Sequence, residues 1–251
     1  GIQADLKAIS ATGAYGLSVI TALTAQNTVG VDAIYPVAID FLKQQMRTVA
    51  RDIRFDAVKV GMLGTPEMIE AVAEFLETQS CPVVVDPVMV AKSGDRLLQA
   101  NAISALRDVL IPQASVITPN LPEAADLLDV MEASDRDTML AQARALLALG
   151  PQAVLLKGGH LLTKESPDLL MSESEAQWFD TARVATTNTH GTGCTLSSAL
   201  ASYLGQGHPV DVAVAKAKDY ISGAIAAADQ LNVGEGHGPV NHFWALWGNN
   251  G

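Results

Sequence analysis

Short apolar runs alternate with longer amphipathic segments along most of this chain. Five runs rich in Val, Ile and Leu are predicted as strands, at residues 17–23, 57–60, 83–85, 115–118 and 153–156. Other segments carry apolar residues every three to four positions, which is the spacing of a helix that buries one face. These predicted helices span residues 37–53, 65–76, 100–110, 138–149 and 210–231.

This alternation predicts an α/β fold with a doubly wound, mostly parallel central sheet and helices on both faces. Val83, Val84 and Val85 are apolar on both sides, as expected of a strand buried between two layers of helices. No internal repeat, Ser/Gly linker or long run of charge divides the sequence. We therefore predict one domain over residues 1–251, a length that can bury a large core.

Residues 8–31 carry no charge and are the one candidate for a membrane span. Gly13, Gly16, Gln26 and Asn27 interrupt this segment, and a lipid-spanning helix needs a longer uninterrupted apolar stretch. We therefore predict a buried strand with flanking turns here, and no membrane partner.

The charge balance limits the possible partners. A net charge of −11 argues against nucleic acid or an anionic membrane surface, since both require a dense basic face. The two cysteines, Cys81 and Cys194, lie far apart and without metal-ligand spacing, so a disulfide framework or a zinc site is not expected. A cytoplasmic location fits this cysteine usage best.

Polar residues follow several of the predicted strands directly. Asp86, Asn120 and Lys157 come after three of the apolar runs, and two glycines follow the lysine. In open α/β sheets, ligands bind beyond the carboxyl ends of the strands, so these side chains are expected to share one rim. A carboxylate, an amide, a lysine and glycines together predict a site for phosphate and Mg²⁺.

The glycine-containing segment 188–195 is the sharpest local motif. The residues after Gly191-Thr192-Gly193-Cys194 have helical spacing, which places this motif at a helix N-terminus. There, backbone N–H groups and about half a positive charge from the helix dipole can hold an anion. A glycine turn that only starts a helix is the alternative. The spacing matches neither a P-loop nor a dinucleotide-binding fingerprint.

Three residues near these motifs have two possible roles each. Cys194 is either a small buried residue or a thiol whose pKa is lowered by the helix N-terminus. Asn120 and Glu123 match a capping box, which by itself favours a structural role. Lys157 either ends its strand in solvent or faces a ligand.

With these residues in place, the chain resembles the hydroxymethylpyrimidine/phosphomethylpyrimidine kinases of thiamin biosynthesis, within the ribokinase superfamily. Ordered motifs carry the resemblance through almost the whole sequence. They are Gly1 to Lys7, Thr21-Ala22-Leu23 with Gln26-Asn27-Thr28, Lys59 to Leu63, Asp86 to Met89, Ala91-Lys92-Ser93-Gly94, Thr118 to Ala124, Lys157 to His160, Asn188 to Thr195, and Gly236 to Phe243. The resemblance implies two successive ATP-dependent phosphorylations, first of a pyrimidine's hydroxymethyl oxygen and then of the resulting monophosphate.

The resemblance also implies roles on the substrate side of the site. Gln26 would hydrogen-bond the aminopyrimidine edge, which suits an amide with both a donor and an acceptor. Met62 and Val88 would line an apolar slot for the ring, and Asp5 would join the substrate-binding residues.

On the phosphate side, the resemblance implies ATP and Mg²⁺ as cofactors. Asp86 and Glu123 would hold the metal, and Asn120, Glu123, Lys157 and Thr189 would bind the nucleotide phosphates. The catalytic set would be Lys157 with Gly191, Thr192, Gly193 and Cys194, whose amides form an anion hole.

Many ribokinase relatives place Asp where Cys194 stands, as the base that takes the hydroxyl proton, whereas the pyrimidine kinases share the Cys.

The family pattern begins with a core strand and an Asp-x-x-Gly-Gly-Ala-Gly loop, and this sequence opens at the final glycine of that loop. We therefore expect a single ribokinase-like domain without that strand and loop, and by resemblance a homodimer. A pyridoxal or pyridoxine kinase is the nearest alternative function. A non-catalytic pyrimidine-binding protein is the alternative from another class.

Overall fold

The computed structural model describes residues 1–89, 101–161, 163 and 165–247. The motif Ala91-Lys92-Ser93-Gly94 lies outside the described residues. The predicted boundary of the domain at residue 251 lies outside them as well.

Helices and strands alternate as the apolar pattern predicts. The helices are α1 (Ile2–Ala11), α2 (Ile39–Asp52), α3 (Pro66–Leu76), α4 (Ala102–Ala105), α5 (Leu121–Leu128), α6 (Arg136–Leu147), α7 (Thr192–Gly205) and α8 (Val210–Ala226). The strands are β1 (Ala22–Gln26), β2 (Val31–Pro36), β3 (Val58–Val60), β4 (Val83–Val85), β5 (Val116–Ile117), β6 (Ala153–Lys157), β7 (Glu165–Ser172) and β8 (Ala176–Ala182).

Six of these strands form one mixed sheet in the order β3-β4-β5-β6-β7-β8. Strands β3 to β6 are parallel, and β7 and β8 are added antiparallel. Strands β1 and β2 form a separate antiparallel ribbon. The predicted α/β class, with a mostly parallel sheet and helices on both faces, is confirmed.

Side chains alternate between the two faces of the sheet, and each face has its own apolar core. Val85 and Leu156 pack on one side, against helices α2, α3, α5 and α6. Val84 and Leu155 pack on the other side, against α1, α7 and α8. Every second residue of a strand points to the same face. Asp86 lies two residues after Val84, and Lys157 lies two residues after Leu155, so both side chains point towards α7.

The predicted strand at residues 17–23 is wrong over most of its length. Ile20 donates its N–H to the Gln45 side chain at 2.9 Å and accepts from the same amide at 3.0 Å, so a side chain satisfies its backbone groups instead of a neighbouring strand. The strand begins only at Ala22, and it pairs with β2 outside the main sheet and is largely exposed. The prediction that residues 8–31 contain a buried strand is therefore also wrong.

The predicted helices have shifted ends where local chemistry intervenes. Asp135 caps α6 through a capping box with Thr138, so this helix starts before residue 138. The segment predicted as one helix to residue 110 continues from α4 as a π-helical stretch, Leu106–Leu110, and a 3-10 turn, Ile111–Gln113. Pro112 has no N–H to donate to the preceding turn, which explains the irregular end.

No helix among the described residues is both long enough and apolar enough to cross a membrane.

Candidate active site

The carboxyl ends of β4, β5 and β6 bring three polar side chains together under helix α7. Lys157 Nζ lies 3.1 Å from Asp86 Oδ1, and the Thr118 hydroxyl donates to the same oxygen at 3.0 Å. The Ser197 hydroxyl on α7 donates to Asp86 Oδ2 at 3.3 Å. The Asp86 side chain is 1% exposed, so this carboxylate is held almost entirely by protein groups.

The pKa values of this pair follow from burial and from the neighbouring charges. Burial alone would raise the pKa of Asp86, but the ammonium groups of Lys157 and Lys59 hold it below its ordinary value. Burial alone would lower the pKa of Lys157, but Asp86 and Glu123 raise it. The site thus keeps a charged carboxylate and a charged lysine largely buried, where electrostatic interactions are stronger than in water.

Helix α5 begins at this rim with the predicted capping box. The Glu123 N–H donates to Asn120 Oδ1, and the Asn120 N–H donates to Glu123 Oε2, both at 2.8 Å. The structural role predicted for these two residues is therefore confirmed. Glu123 also lines the cleft, and burial together with the charge of Asp86 raises its pKa to about 7.

The N-terminus of α7 points at the same place. Gly191 precedes the helix with φ of +81°, a conformation that favours glycine. A Cβ on Gly193 would lie 3.4 Å from Lys157 Nζ and 3.8 Å from Asp86 Oδ2. The amides of Gly193 and Cys194 lie in the first turn, where N–H groups have no intrahelical acceptor, whereas the Thr192 amide donates to the Thr189 carbonyl at 3.3 Å.

A second buried lysine also faces this site. Lys59 Nζ lies 3.0 Å from Asp5 Oδ1, and the Ser198 hydroxyl donates to the same oxygen at 2.8 Å. Burial alone would lower the pKa of Lys59, but Cys194, Asp5 and Asp86 around it raise it. Sequence reasoning assigned no role to Lys59, although a lysine between two valines of a predicted strand was an available signal.

The predicted site residues all line one open cleft. They are Asp5, Gln26, Met62, Asp86, Val88, Asn120, Glu123, Lys157, Thr189, Gly191, Thr192, Gly193 and Cys194. The cleft has a volume of about 1770 Å³, whereas pockets for one drug-sized ligand have about 300–1,000 Å³. It is therefore large enough for two ligands at once.

The two sides of the cleft come from different parts of the fold. Gln26 is exposed at the end of β1, and Met62 and Val88 follow β3 and β4. The Thr21 hydroxyl donates to the Met62 carbonyl at 2.8 Å and ties the ribbon to the end of β3. Asp5, predicted as substrate-binding, has its Oδ1 engaged by Lys59 and Ser198 within the protein.

The donor set fits a Mg²⁺ ion that is only partly coordinated by protein. Within residues 1–89, 101–161, 163 and 165–247, no group of three or more His, Cys, Asp and Glu side chains could hold a metal. Asp86 and Glu123 are two carboxylates at one rim of the cleft. Mg²⁺ is commonly held by one or two carboxylates together with substrate phosphates and water, so these residues fit a metal that arrives with a nucleotide.

His242 forms a hydrogen bond with the first turn of α7. Its Nε2 lies 2.9 Å from the Thr195 hydroxyl, and burial together with the charge of Lys7 lowers its pKa from 6.5 to about 4. The unfolded chain therefore binds a proton below pH 6.5 that the folded protein takes up only near pH 4. Stability should accordingly fall as the pH is lowered through this window.

Replacing His242 by glutamine is expected to remove this part of the acid sensitivity. The free energy of unfolding of the wild type should fall by at most about 3 kcal/mol more than that of the variant between pH 6.5 and pH 4, less where solvent screens the charge of Lys7. Urea denaturation at several pH values measures the difference. The exposed His237, replaced in the same way, serves as the control, and parallel pH profiles for wild type and His242→Gln would contradict the expectation.

A mixed sheet with a glycine-led helix N-terminus, a buried lysine and two carboxylates at its carboxyl edge fits a small-molecule kinase of the ribokinase type. Comparison with known proteins supports this class and narrows it. The family model described as phosphomethylpyrimidine kinase matches residues 1–241. The chain belongs to this family, as the resemblance of the sequence motifs predicted.

Relatives and solved structures agree with this assignment. The hydroxymethylpyrimidine/phosphomethylpyrimidine kinase of Salmonella typhimurium is 54% identical over 248 residues, covering 98% of this chain and 93% of the relative. A phosphomethylpyrimidine kinase structure from Clostridium difficile matches with a TM-score of 0.80 and 43% identity, over 90% of this chain and 93% of that one. An ADP complex of Bacillus subtilis pyridoxal kinase matches with a TM-score of 0.90 and 34% identity, over 98% of this chain and 92% of that one.

Proposed function

We propose that this kinase transfers the γ-phosphoryl group of ATP to 4-amino-5-hydroxymethyl-2-methylpyrimidine and then to the resulting monophosphate. One observation carries the proposal. Lys157, Asp86 and the first turn of α7 lie together in a cleft that Gln26 also lines. The likeness to pyrimidine kinases supports the choice of acceptor, and the geometry of the cleft supports the phosphate-binding roles proposed for these groups.

In the first step, the hydroxymethyl oxygen attacks the γ-phosphorus, and the bond from that phosphorus to the β,γ-bridging oxygen breaks to release ADP. Cys194, as the thiolate, accepts the hydroxyl proton and becomes the thiol. The amides of Gly193 and Cys194 and the ammonium of Lys157 stabilise the negative charge on the phosphoryl oxygens. Phosphoryl transfer depends mainly on such positioning and charge stabilisation.

Asp86 and Glu123 would hold Mg²⁺, which when bound neutralises charge on the ATP phosphates. Asp86 also keeps Lys157 in place at 3.1 Å. On the substrate side, Gln26 would read the aminopyrimidine edge, and Met62 and Val88 would enclose the ring. Asn120 and Thr189 would contribute at the nucleotide phosphates, while Asp5 acts through Lys59 and Ser198.

An assay with two acceptors tests the substrate. The purified protein is incubated with ATP and Mg²⁺ and either the hydroxymethylpyrimidine or pyridoxal, and ADP and the phosphorylated products are measured by mass spectrometry. We expect ADP with the pyrimidine, with its monophosphate appearing before its diphosphate. Faster turnover of pyridoxal would favour the second candidate, to which the structural likeness to pyridoxal kinases points. Ring binding without ADP formation would favour a non-catalytic binding protein.

Replacing Cys194 by alanine is expected to slow the first phosphorylation more than the second. The hydroxyl group must lose a proton in the first step, whereas the phosphate acceptor of the second step is already ionised. Loss of a general base costs about 10²- to 10⁴-fold, so the first rate should fall in this range while the second falls less. Single-turnover assays of each step measure the two rates, and equal losses would refute the role of Cys194 as a base.

A homodimer and a cytoplasmic location also belong to this proposal. The β1–β2 ribbon exposes Leu23, Ile34 and Tyr35, which a second copy could cover. Both cysteines of the chain are free, which is usual in a reducing compartment.

A further inference from the structure

A buried ion pair lies beside Lys157 and has no part in the reaction described so far. Asp168 on β7 is 3% exposed and Lys218 on α8 is 6% exposed. Lys218 Nζ lies 2.7 Å from Asp168 Oδ2. Two charges taken out of water are costly unless close geometry and further hydrogen bonds compensate, so the surroundings of this pair are informative.

Asp168 stands opposite Lys157 in the sheet. The two residues are register partners across the antiparallel strands β6 and β7. Leu155 and Leu170 belong to the core beneath α7 and α8, so strand alternation turns both Lys157 and Asp168 towards that side. The Cβ atoms of directly opposed residues are about 4.5–5.5 Å apart. The Asp168 carboxylate is therefore a neighbour of the Lys157 side chain on this face of the sheet, while the Lys157 ammonium is paired with Asp86 at 3.1 Å.

Asp168 also fixes the backbone that follows Lys157. Its Oδ1 accepts the Gly158 N–H at 2.9 Å. Gly158 packs directly on β7, since a Cβ there would lie 1.9 Å from the Pro167 carbonyl oxygen. The carboxylate thus anchors the turn after Lys157 with one oxygen and meets Lys218 with the other.

We propose that Lys218 is a positioning residue for phosphoryl transfer, which neutralises Asp168 so that Lys157 stays with Asp86 at the first turn of α7. The proposal rests on the phosphate-binding role proposed above for Lys157. Without the charge of Lys218, the Asp168 carboxylate is buried without a cation, and Lys157 is drawn towards it across the strand pair. The ammonium then leaves the place where the transferred phosphoryl group must lie.

Replacing Lys218 by methionine tests this role, because methionine keeps an apolar stem and removes the charge. A misplacement of about 1 Å at a reacting group can cost about 100-fold in rate, and we expect a loss of about this size in kcat for both phosphorylations. KM for the pyrimidine should not change, since Gln26 and Met62 lie on the other side of the cleft. Lys218→Arg should restore most of the activity. Rates are expressed per folded molecule, with the folded fraction taken from urea denaturation.

The double variant Asp168→Asn/Lys218→Met decides between positioning and direct contact. It buries neither charge, so it is expected to fold even where the single variant does not, and the amide oxygen of the new asparagine can still accept the Gly158 N–H. With no carboxylate to attract Lys157, it should recover most of the kcat lost in Lys218→Met. A double variant as slow as the single variant, or a single variant with wild-type kcat, would overturn the proposal.

Two further variants separate this inference from the proposed function. Lys216→Met removes a lysine from the same helix, where it lies over the Tyr203 ring with Nζ 5.4 Å from the ring centroid, and serves as the matched control. Lys157→Met tests the role on which the inference rests. Wild-type kcat in Lys157→Met removes the proposed role of Lys157, whereas a slow Lys157→Met with a fast Lys218→Met removes only the role of Lys218.

Discussion

Replacing Lys157 by methionine is expected to lower kcat for both phosphorylations by about 10³-fold. The ammonium lies 3.1 Å from Asp86 and 3.4 Å from the Cβ position of Gly193, beside the first-turn amides of α7. Its side chain is only 14% exposed, so water would replace little of the lost charge stabilisation. Both steps transfer the same group through the same place, and we therefore expect similar losses in single-turnover measurements of each.

This substitution also leaves Asp86 without its nearest cation. Removing one partner of a buried ion pair typically costs about 3–5 kcal/mol, so the free energy of unfolding should fall and must be measured alongside the rates. Lys59, which also lowers the pKa of Asp86, remains as a second cation and should reduce this cost. Lys216→Met is the control. A folded Lys157→Met variant with wild-type kcat would contradict the proposed role of this lysine.

Replacing Gly193 by alanine is expected to lower kcat by about 10²-fold, a loss comparable to that of one anion-stabilising donor, although the backbone N–H of residue 193 is kept. The added methyl group would make ordinary contacts, 3.4 Å from Lys157 Nζ and 3.8 Å from Asp86 Oδ2. The folded protein therefore accommodates it, but the methyl group occupies the space between the α7 amides and Lys157 that the phosphoryl oxygens need.

Stability should move in the opposite direction to activity in this variant. Alanine favours a helix over glycine by about 1 kcal/mol in a helix interior and by less in the first turn, where Gly193 lies, so the free energy of unfolding of Gly193→Ala should equal or slightly exceed that of the wild type. Steady-state kinetics and urea denaturation of the same preparation measure both. Gly30→Ala, where a Cβ would meet nothing within 4 Å, is the control for a glycine substitution. Unchanged kcat in Gly193→Ala would show that the phosphoryl group binds elsewhere.

The parallel strands and most helices could be predicted because their signals are local. Val83–Val85 is apolar on both faces and forms a strand buried on both faces. Pro66–Leu76 follows its helical spacing and its capping residue. The same reasoning failed at residues 17–21, where apolar and β-branched residues form no strand, because a strand also needs a partner for its backbone groups. It also missed β7 and β8, whose charged residues and Pro167 interrupt the apolar pattern.

The candidate site was predictable to the extent that it follows strand ends and one helix start. Asp86, Asn120 and Lys157 each come directly at or after a parallel strand, and such ends meet at one rim. The family resemblance then added the substrate-side roles of Gln26 and Met62. The assigned roles of these residues stay predictions until the variants above are measured.

The sequence by itself determined the strands and helices with strong local patterns, the capping box at Asn120, and the placement of Asp86, Asn120 and Lys157 at one edge of the sheet. Only the tertiary structure decided how the buried charges are paired. Lys59 meets Asp5 across 54 positions of sequence, Lys157 meets Asp86 across 71, and Lys218 meets Asp168 across 50. These partners are set by sheet order and by which helices cover each face, and a single sequence carries no local signal for a contact between residues so far apart.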